Sequence, residues 1–140
     1  MRFWDASAVV PLIINDVAAA PPIGADAKSP MVVWWGTVIE VASAIARLER
    51  AGTLSGEQVM RCLDLLQELS TVWLEVLPSD SLRRTAQRLL RVHALKAADS
   101  LQLAAALAAS ADRSGSFDFI CRDSRLSEAA AREGLRVRAA

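Results

Sequence analysis

Four acidic side chains stand where chemistry could be built: Asp5, Glu40, Asp99 and Asp123. Each lies near the opening of a predicted helix, and Asp5, Glu40 and Asp123 follow closely on a predicted strand. Carboxylates are hard oxygen donors, and a few of them together with water suffice to hold Mg2+ or Mn2+. Crowded carboxylates repel one another and take up protons unless a cation sits between them. A divalent cation lowers the pKa of bound water and neutralises charge on a leaving oxygen, which is what hydrolysis of a phosphodiester demands. Each acid taken alone also has a plainer reading. Asp5 and Asp123 fit helix N-caps. Asp99 suits the positive end of a helix dipole. Glu40 falls in a polar stripe with Thr37, Ser43 and Arg47 that would face water. The shared reading requires all four to reach one edge of one sheet.

The elements that would carry them alternate in type. Strands are expected at 2–5, 31–35, 72–77, 117–121 and 135–137, from β-branched and aromatic runs. Helices are expected at 6–13, 37–50, 55–70, 79–93, 97–112 and 124–133, from apolar residues at helical spacing. Ala51-Gly52 is a fitting C-terminal stop for the helix before it. Residues 15–30 contain Pro21, Pro22, Gly24 and Pro30, so this stretch is expected to be irregular or only briefly helical. Alternation of this kind implies right-handed crossovers, a mostly parallel sheet and helices on both faces: an α/β fold as a three-layer α/β/α sandwich. Ligands of such sheets bind beyond the carboxyl ends of the strands, where strand order reverses. The acids lie at such ends.

Composition sets the outer bounds. The chain has 140 residues, 53% of them hydrophobic, with no net formal charge. That is room for one packed domain, 1–140, and it gives no strong overall attraction to nucleic acid. Any such binding must come from local patches. Cys62 and Cys121 lack metal-ligand spacing and read as small buried hydrophobes. His93 is the sole histidine, which excludes a His-rich metal site. No signal peptide and no membrane-spanning run is apparent, so the expected location is a reducing cytoplasm.

Four segments carry a resemblance. They are Arg2-Phe3-Trp4-Asp5-Ala6-Ser7-Ala8-Val9, Thr37-Val38-Ile39-Glu40-Val41-Ala42-Ser43-Ala44, His93-Ala94-Leu95-Lys96-Ala97-Ala98-Asp99-Ser100-Leu101-Gln102-Leu103-Ala104-Ala105-Ala106, and Ile120-Cys121-Arg122-Asp123-Ser124-Arg125-Leu126. In order and spacing they resemble VapC-type toxins, the PIN-domain ribonucleases of bacterial toxin–antitoxin modules, over nearly the whole chain. The resemblance implies a PIN fold and a Mg2+- or Mn2+-dependent endoribonuclease leaving 5′-phosphates. Its partners would be the RNA substrate, a cognate VapB-type antitoxin and a second copy in a homodimer. Asp5 and Asp99 would be the main metal ligands, directly or through water. Glu40 would bind or orient the cation or help activate water. Asp123 would complete the acidic quartet, with Asp118 its rival for that place. Ser7 would hydrogen-bond near Asp5 or the scissile phosphate. Residues 17–30 depart from the resemblance, being richer in Pro and Ala than a helical clip over the site. The alternative is a catalytically inactive PIN-like module that binds RNA or protein.

Other features complete the reading. Arg84, Arg88 and Arg91 share one helix face and could contact phosphates, although a solvated surface explains them equally. His93 suits a capping or structural role. Trp34 and Trp35 are adjacent in a strand and point to opposite faces, one to the core and one available to a partner. The apolar face around 59–69 could serve a dimer or an antitoxin helix. Two other enzymes with an aspartate after strand one fit less well. A haloacid-type phosphatase wants an acid where Ser7 stands, and a receiver domain wants an acceptor Asp where Pro78-Ser79 follows strand three.

Overall fold

A computed structural model describes residues 1–16, 30–111 and 116–139. Eleven elements succeed one another: β1 (Arg2–Trp4), α1 (Ala6–Asp16), β2 (Met31–Trp34), α2 (Thr37–Arg50), α3 (Gly56–Ser70), β3 (Leu74–Val76), α4 (Asp80–Val92), α5 (Ala97–Ala111), β4 (Asp118–Ile120), α6 (Ser124–Arg132) and β5 (Arg136–Arg138). The strands form one sheet in the order β3-β2-β1-β4-β5, and each neighbouring pair is parallel. β1 is therefore central, and strand order reverses there. The chain leaves β1 towards β2 and β3, then returns across the sheet to β4 on the other side.

Alternation along the strands feeds two cores. Val32 and Trp34 of β2 join Phe3, Phe119, Leu103 and Leu126 on the face covered by α4, α5 and α6. Met31 and Val33 point the other way, into Val9, Val41, Val59 and Trp73 on the face covered by α1, α2 and α3. Successive strand residues must face opposite sides, and here both sides are covered, so β2 is buried along its whole length. The result is the expected three-layer α/β/α arrangement. The rings of Phe3 and Phe119 stack across adjacent strands, with centroids 5.7 Å apart.

Local sequence explains the element ends. Ser55 caps α3 in a capping box with Gln58, satisfying two otherwise unpaired N–H groups at that terminus. Ser79 caps α4 by accepting from the Leu82 amide. α2 stops at Ala51, and Gly52 follows with φ +75, the left-handed conformation that ends many helices. At the other end of α2, Gly36 lies against the Trp34 indole: a Cβ there would approach Nε1 to 2.5 Å. Glycine thus permits the tight turn from β2 into α2 that positions Thr37 and Glu40.

Most boundaries fall within a residue or two of expectation. β3 is shorter than predicted, because Trp73 precedes it, buries its ring and donates Nε1–H to Glu75 at 3.0 Å. α1 runs on to Asp16, with Pro11 inside it. Residues 17–29, which hold most of the expected irregular stretch, lie outside the described residues. Trp34 is buried as the last residue of β2, while Trp35 lies beyond the strand, in the turn to α2, and is 52% exposed. On α3, Val59, Cys62 and Leu66 are buried, while Met60 and Leu63 face outward. Among the described residues, no helix is long and apolar enough to cross a membrane.

Candidate active site

Asp5 leaves the end of β1, and its amide donates to the Ile120 carbonyl at 3.0 Å, which seats it beside the end of β4. Its carboxylate accepts from the Ser7 amide at 2.9 Å, so the capping reading holds in part. An ordinary cap faces water, however, and Asp5 is only 4% exposed. Its Oδ2 also accepts a long bond, 3.7 Å, from the Cys121 thiol. Ser7 is one turn into α1, and its hydroxyl accepts from the Arg122 amide at 3.0 Å. That bond ties the start of α1 to the loop between β4 and α6.

Glu40 and Asp99 arrive from opposite layers. Glu40 sits in the first turn of α2, and Asp99 in the first turn of α5. Oε2 of Glu40 accepts from Gln102 Nε2 at 2.6 Å. The same nitrogen donates to Thr37 Oγ1 at 3.1 Å. Gln102 lies three residues beyond Asp99 on α5 and is completely buried. Its Oε1 is a buried oxygen with no hydrogen-bond partner among the described residues. Asp99 accepts a long bond, 3.4 Å, from the Lys96 amide. Asp123 is the N-cap of α6 and accepts from the Leu126 amide at 2.8 Å.

The acids feel one another. Burial pushes the Glu40 carboxyl up to about 7; the Gln102 bond opposes this, and the charges of Asp5 and Asp99 add to it. Burial raises Asp5 as well, against the Ser7 hydrogen bonds, with the Asp99 charge adding. Asp99 is raised by burial, held back by the Lys96 amide, raised further by Asp123 and lowered by the Lys96 charge. Asp5, Glu40 and Asp99 thus each feel the charge of at least one other acid across the carboxyl end of the sheet. Among the described residues, no arginine or lysine forms an ion pair with any of them.

The spacing is loose. No three Asp, Glu, His or Cys side chains among the described residues come close enough to ligate one ion jointly. The donor set nonetheless suits a hard divalent cation that keeps much of its water and takes only one or two carboxylates directly. Like charges gathered without an ion pair, and a buried amide oxygen left unpaired beside them, are the features a cation and its waters would relieve. No protein-family model and no curated protein matches the chain.

Several expected site residues lie elsewhere or in other company. Asp118 begins β4, at the amino end of the sheet, and its carboxylate is paired with Arg136 and Arg138. Those arginines hold it below the ordinary carboxylate range. It is therefore set apart from the other acids, whereas the Asp123 charge reaches Asp99. Arg88 is forked onto Glu133 at 3.1 and 2.7 Å, and His93 Nε2 meets the same carboxylate at 2.8 Å. Arg88 is thus committed to a clamp between the ends of α4 and α6, and only Arg84 and Arg91 remain as open members of that stripe. Arg88 and Arg91 line a shallow cleft of about 550 Å³ with Gln87 and Val92. Of the expected polar stripe, Ser43 and Arg47 are exposed, Glu40 is half-buried and Thr37 is fully buried. Thr37, Gln102 and Cys121 are the neighbours that sequence reasoning missed. A glutamine one turn after an acid, in a helix otherwise of alanine and leucine, was the available signal for Gln102.

Proposed function

We propose that this protein is a Mg2+- or Mn2+-dependent endoribonuclease of the PIN-domain kind, the VapC-type toxin of a toxin–antitoxin pair. The observation that carries the reading is the convergence of Asp5, Glu40 and Asp99 from three separate elements at one end of the sheet, where none forms an ion pair with an arginine or lysine among the described residues and the Asp99 charge reaches both of the others. Folding repelling, partly buried carboxylates together costs stability, and a cation offsets that cost. Asp5 and Asp99 would hold the ion, directly or through water, with Glu40 and Asp123 beside it. When bound, the ion lowers the pKa of its water and neutralises charge on the phosphate. Glu40 would orient the cation or help to activate the attacking water. Ser7 holds the loop after β4 against α1, which keeps Asp5 and Asp123 in register. Arg84 and Arg91 are the open cations for RNA phosphates. A VapB-type antitoxin would silence the protein by covering the acidic end of the sheet.

The test is cleavage of single-stranded RNA with Mn2+, followed by end analysis. Cleavage leaving 5′-phosphates should need the cation, and Asp5→Asn or Asp99→Asn should remove it, with each variant still melting cooperatively. Full activity in EDTA, or in both variants, refutes the mechanism. The loose spacing of the acids favours one second reading, a module that binds RNA or protein without cutting. Tight RNA binding with no cleavage at any Mn2+ concentration would establish that reading instead.

A further inference from the structure

The proposed cation site leaves Gln102 unexplained. Its side chain is completely buried, and both Nε2 hydrogens are used, one on Glu40 Oε2 at 2.6 Å and one on Thr37 Oγ1 at 3.1 Å. The following four residues of α5, Leu103, Ala104, Ala105 and Ala106, are buried without exception. A hydrophobe at 102 would extend that packing with no polar group to satisfy. The amide instead loses its rotamer freedom and its water, and its Oε1 finds no partner among the described residues. Stability alone does not select glutamine here.

Its bonds, however, have a direction. α5 belongs to one layer and α2 to the other, so the Gln102 amide reaches across the carboxyl end of the sheet. It grips α2 at the first residue of the helix, Thr37, and one turn later at Glu40. Thr37 fixes the amide plane, and the amide in turn fixes the Glu40 carboxylate. With Oε2 committed to Gln102, Oε1 is the oxygen Glu40 can offer. The same helix turn carries Asp99, so one rigid segment sets the relative placement of two acids from opposite layers.

We propose that Gln102 is the positioning residue of the acidic site: bridging Thr37 and Glu40, it orients the Glu40 carboxylate to receive a divalent cation. This rests on the cation-binding reading given above. Partners that orient a ligand from outside the coordination sphere typically change metal affinity by 10- to 100-fold.

The experiment is Mn2+ titration by calorimetry on the full chain, without RNA. The variants are Gln102→Met, Glu40→Gln, the two combined, and Asp5→Asn. Methionine keeps the length and volume and removes the donor. Gln102→Met should bind Mn2+ roughly 10- to 100-fold more weakly than wild type. In the Glu40→Gln background the same change should have no further effect, because Gln102 acts through Glu40. A purely structural glutamine would weaken binding equally in both backgrounds, and that result overturns the proposal, as does unchanged affinity in Gln102→Met. If Gln102→Met does not melt cooperatively, Thr37→Val takes its place. It frees one of the two Nε2 bonds and should weaken Mn2+ binding several-fold in wild type and not in Glu40→Gln; equal binding overturns the proposal. Wild-type protein that binds no Mn2+, or binds it as well after Asp5→Asn, overturns the cation site itself and the role of Gln102 with it. Asp5-dependent binding that ignores Gln102 and Thr37 overturns only the positioning role.

Discussion

Glu40→Gln should make the metal-free protein more stable at alkaline pH, although it removes an acid from the candidate active site. The Glu40 carboxyl is pushed from an ordinary 4.5 to about 7, chiefly by burial and then by Asp5 and Asp99. Over that range the folded chain holds a proton that the unfolded chain has released. Stability is therefore fully present below pH 4.5, falls as pH rises to 7, and levels off above it. A shift of this size corresponds to about 3 kcal/mol once the group is fully ionised. The side chain is only partly buried, and water screening brings this to roughly 1–2 kcal/mol. Glutamine keeps the shape and can still accept from Gln102, but it has no charge to bury. Urea denaturation in EDTA at pH 5 and at pH 8 measures the effect, read from midpoints at constant slope. The stability of Glu40→Gln relative to wild type should rise by about 1–2 kcal/mol between the two pH values. Asp118 and Glu133, whose carboxyls are lowered, titrate below this window, while Asp5 and Asp99, raised like Glu40, are present in both proteins, so the comparison is read as a difference between them. Saturating Mn2+ should restore wild type at pH 8, by about 2.7 kcal/mol at a hundredfold excess over the dissociation constant. A difference that does not change with pH, or that moves towards wild type at pH 8, refutes the electrostatic argument.

Asp123→Ala should reduce RNA cleavage, whereas Asp118→Ala should leave it intact, since Asp118 is paired with Arg136 and Arg138 away from the other acids; the two rates in the same assay decide between them. Phe119→Ala should destabilise the protein by about 3–5 kcal/mol in urea unfolding, because the ring is fully buried and stacked on Phe3. Glu133 is held down to about 2 by Arg88 and His93. The stability it contributes is present above pH 4.5 and lost as pH falls towards 2, about 1 kcal/mol after screening. Wild type should therefore lose more stability than Glu133→Gln between pH 5 and pH 3, as followed by circular dichroism.

The layer arrangement was legible because its signals are local. β2 is a run of β-branched and aromatic residues buried on both faces, and α3 and α4 open with serine caps. Strand–helix alternation then leaves few topologies to choose from. Asp5, Glu40, Asp99 and Asp123 could be singled out because each lies near the opening of a helix and all but Asp99 follow closely on a strand, where an α/β sheet exposes its functional edge. The partners of those acids were not legible in the same way. For Glu40 a water-facing place stayed open beside the site reading, since Thr37, Ser43 and Arg47 share its helical stripe. Only the packing of α5 across the sheet end shows that Thr37 is buried and that Gln102 holds Glu40. Arg88 read as a free cation for the same reason: Glu133 is distant in sequence and reaches it only once α4 and α6 are folded together. Helix periodicity says which side a residue is on, and it does not say what stands opposite.

The central strand has a consequence for how the molecule comes apart. β1 is three residues long, and two of them serve different masters: Phe3 is rooted in the core beneath α4, α5 and α6, while Trp4 leans on the one beneath α1, α2 and α3. Neither half of the sandwich has a floor of its own. Removing β1 therefore uncovers apolar surface in both cores. The chain's first residues are thus a shared hinge pin, and loss of the amino-terminal strand disassembles both sides at once.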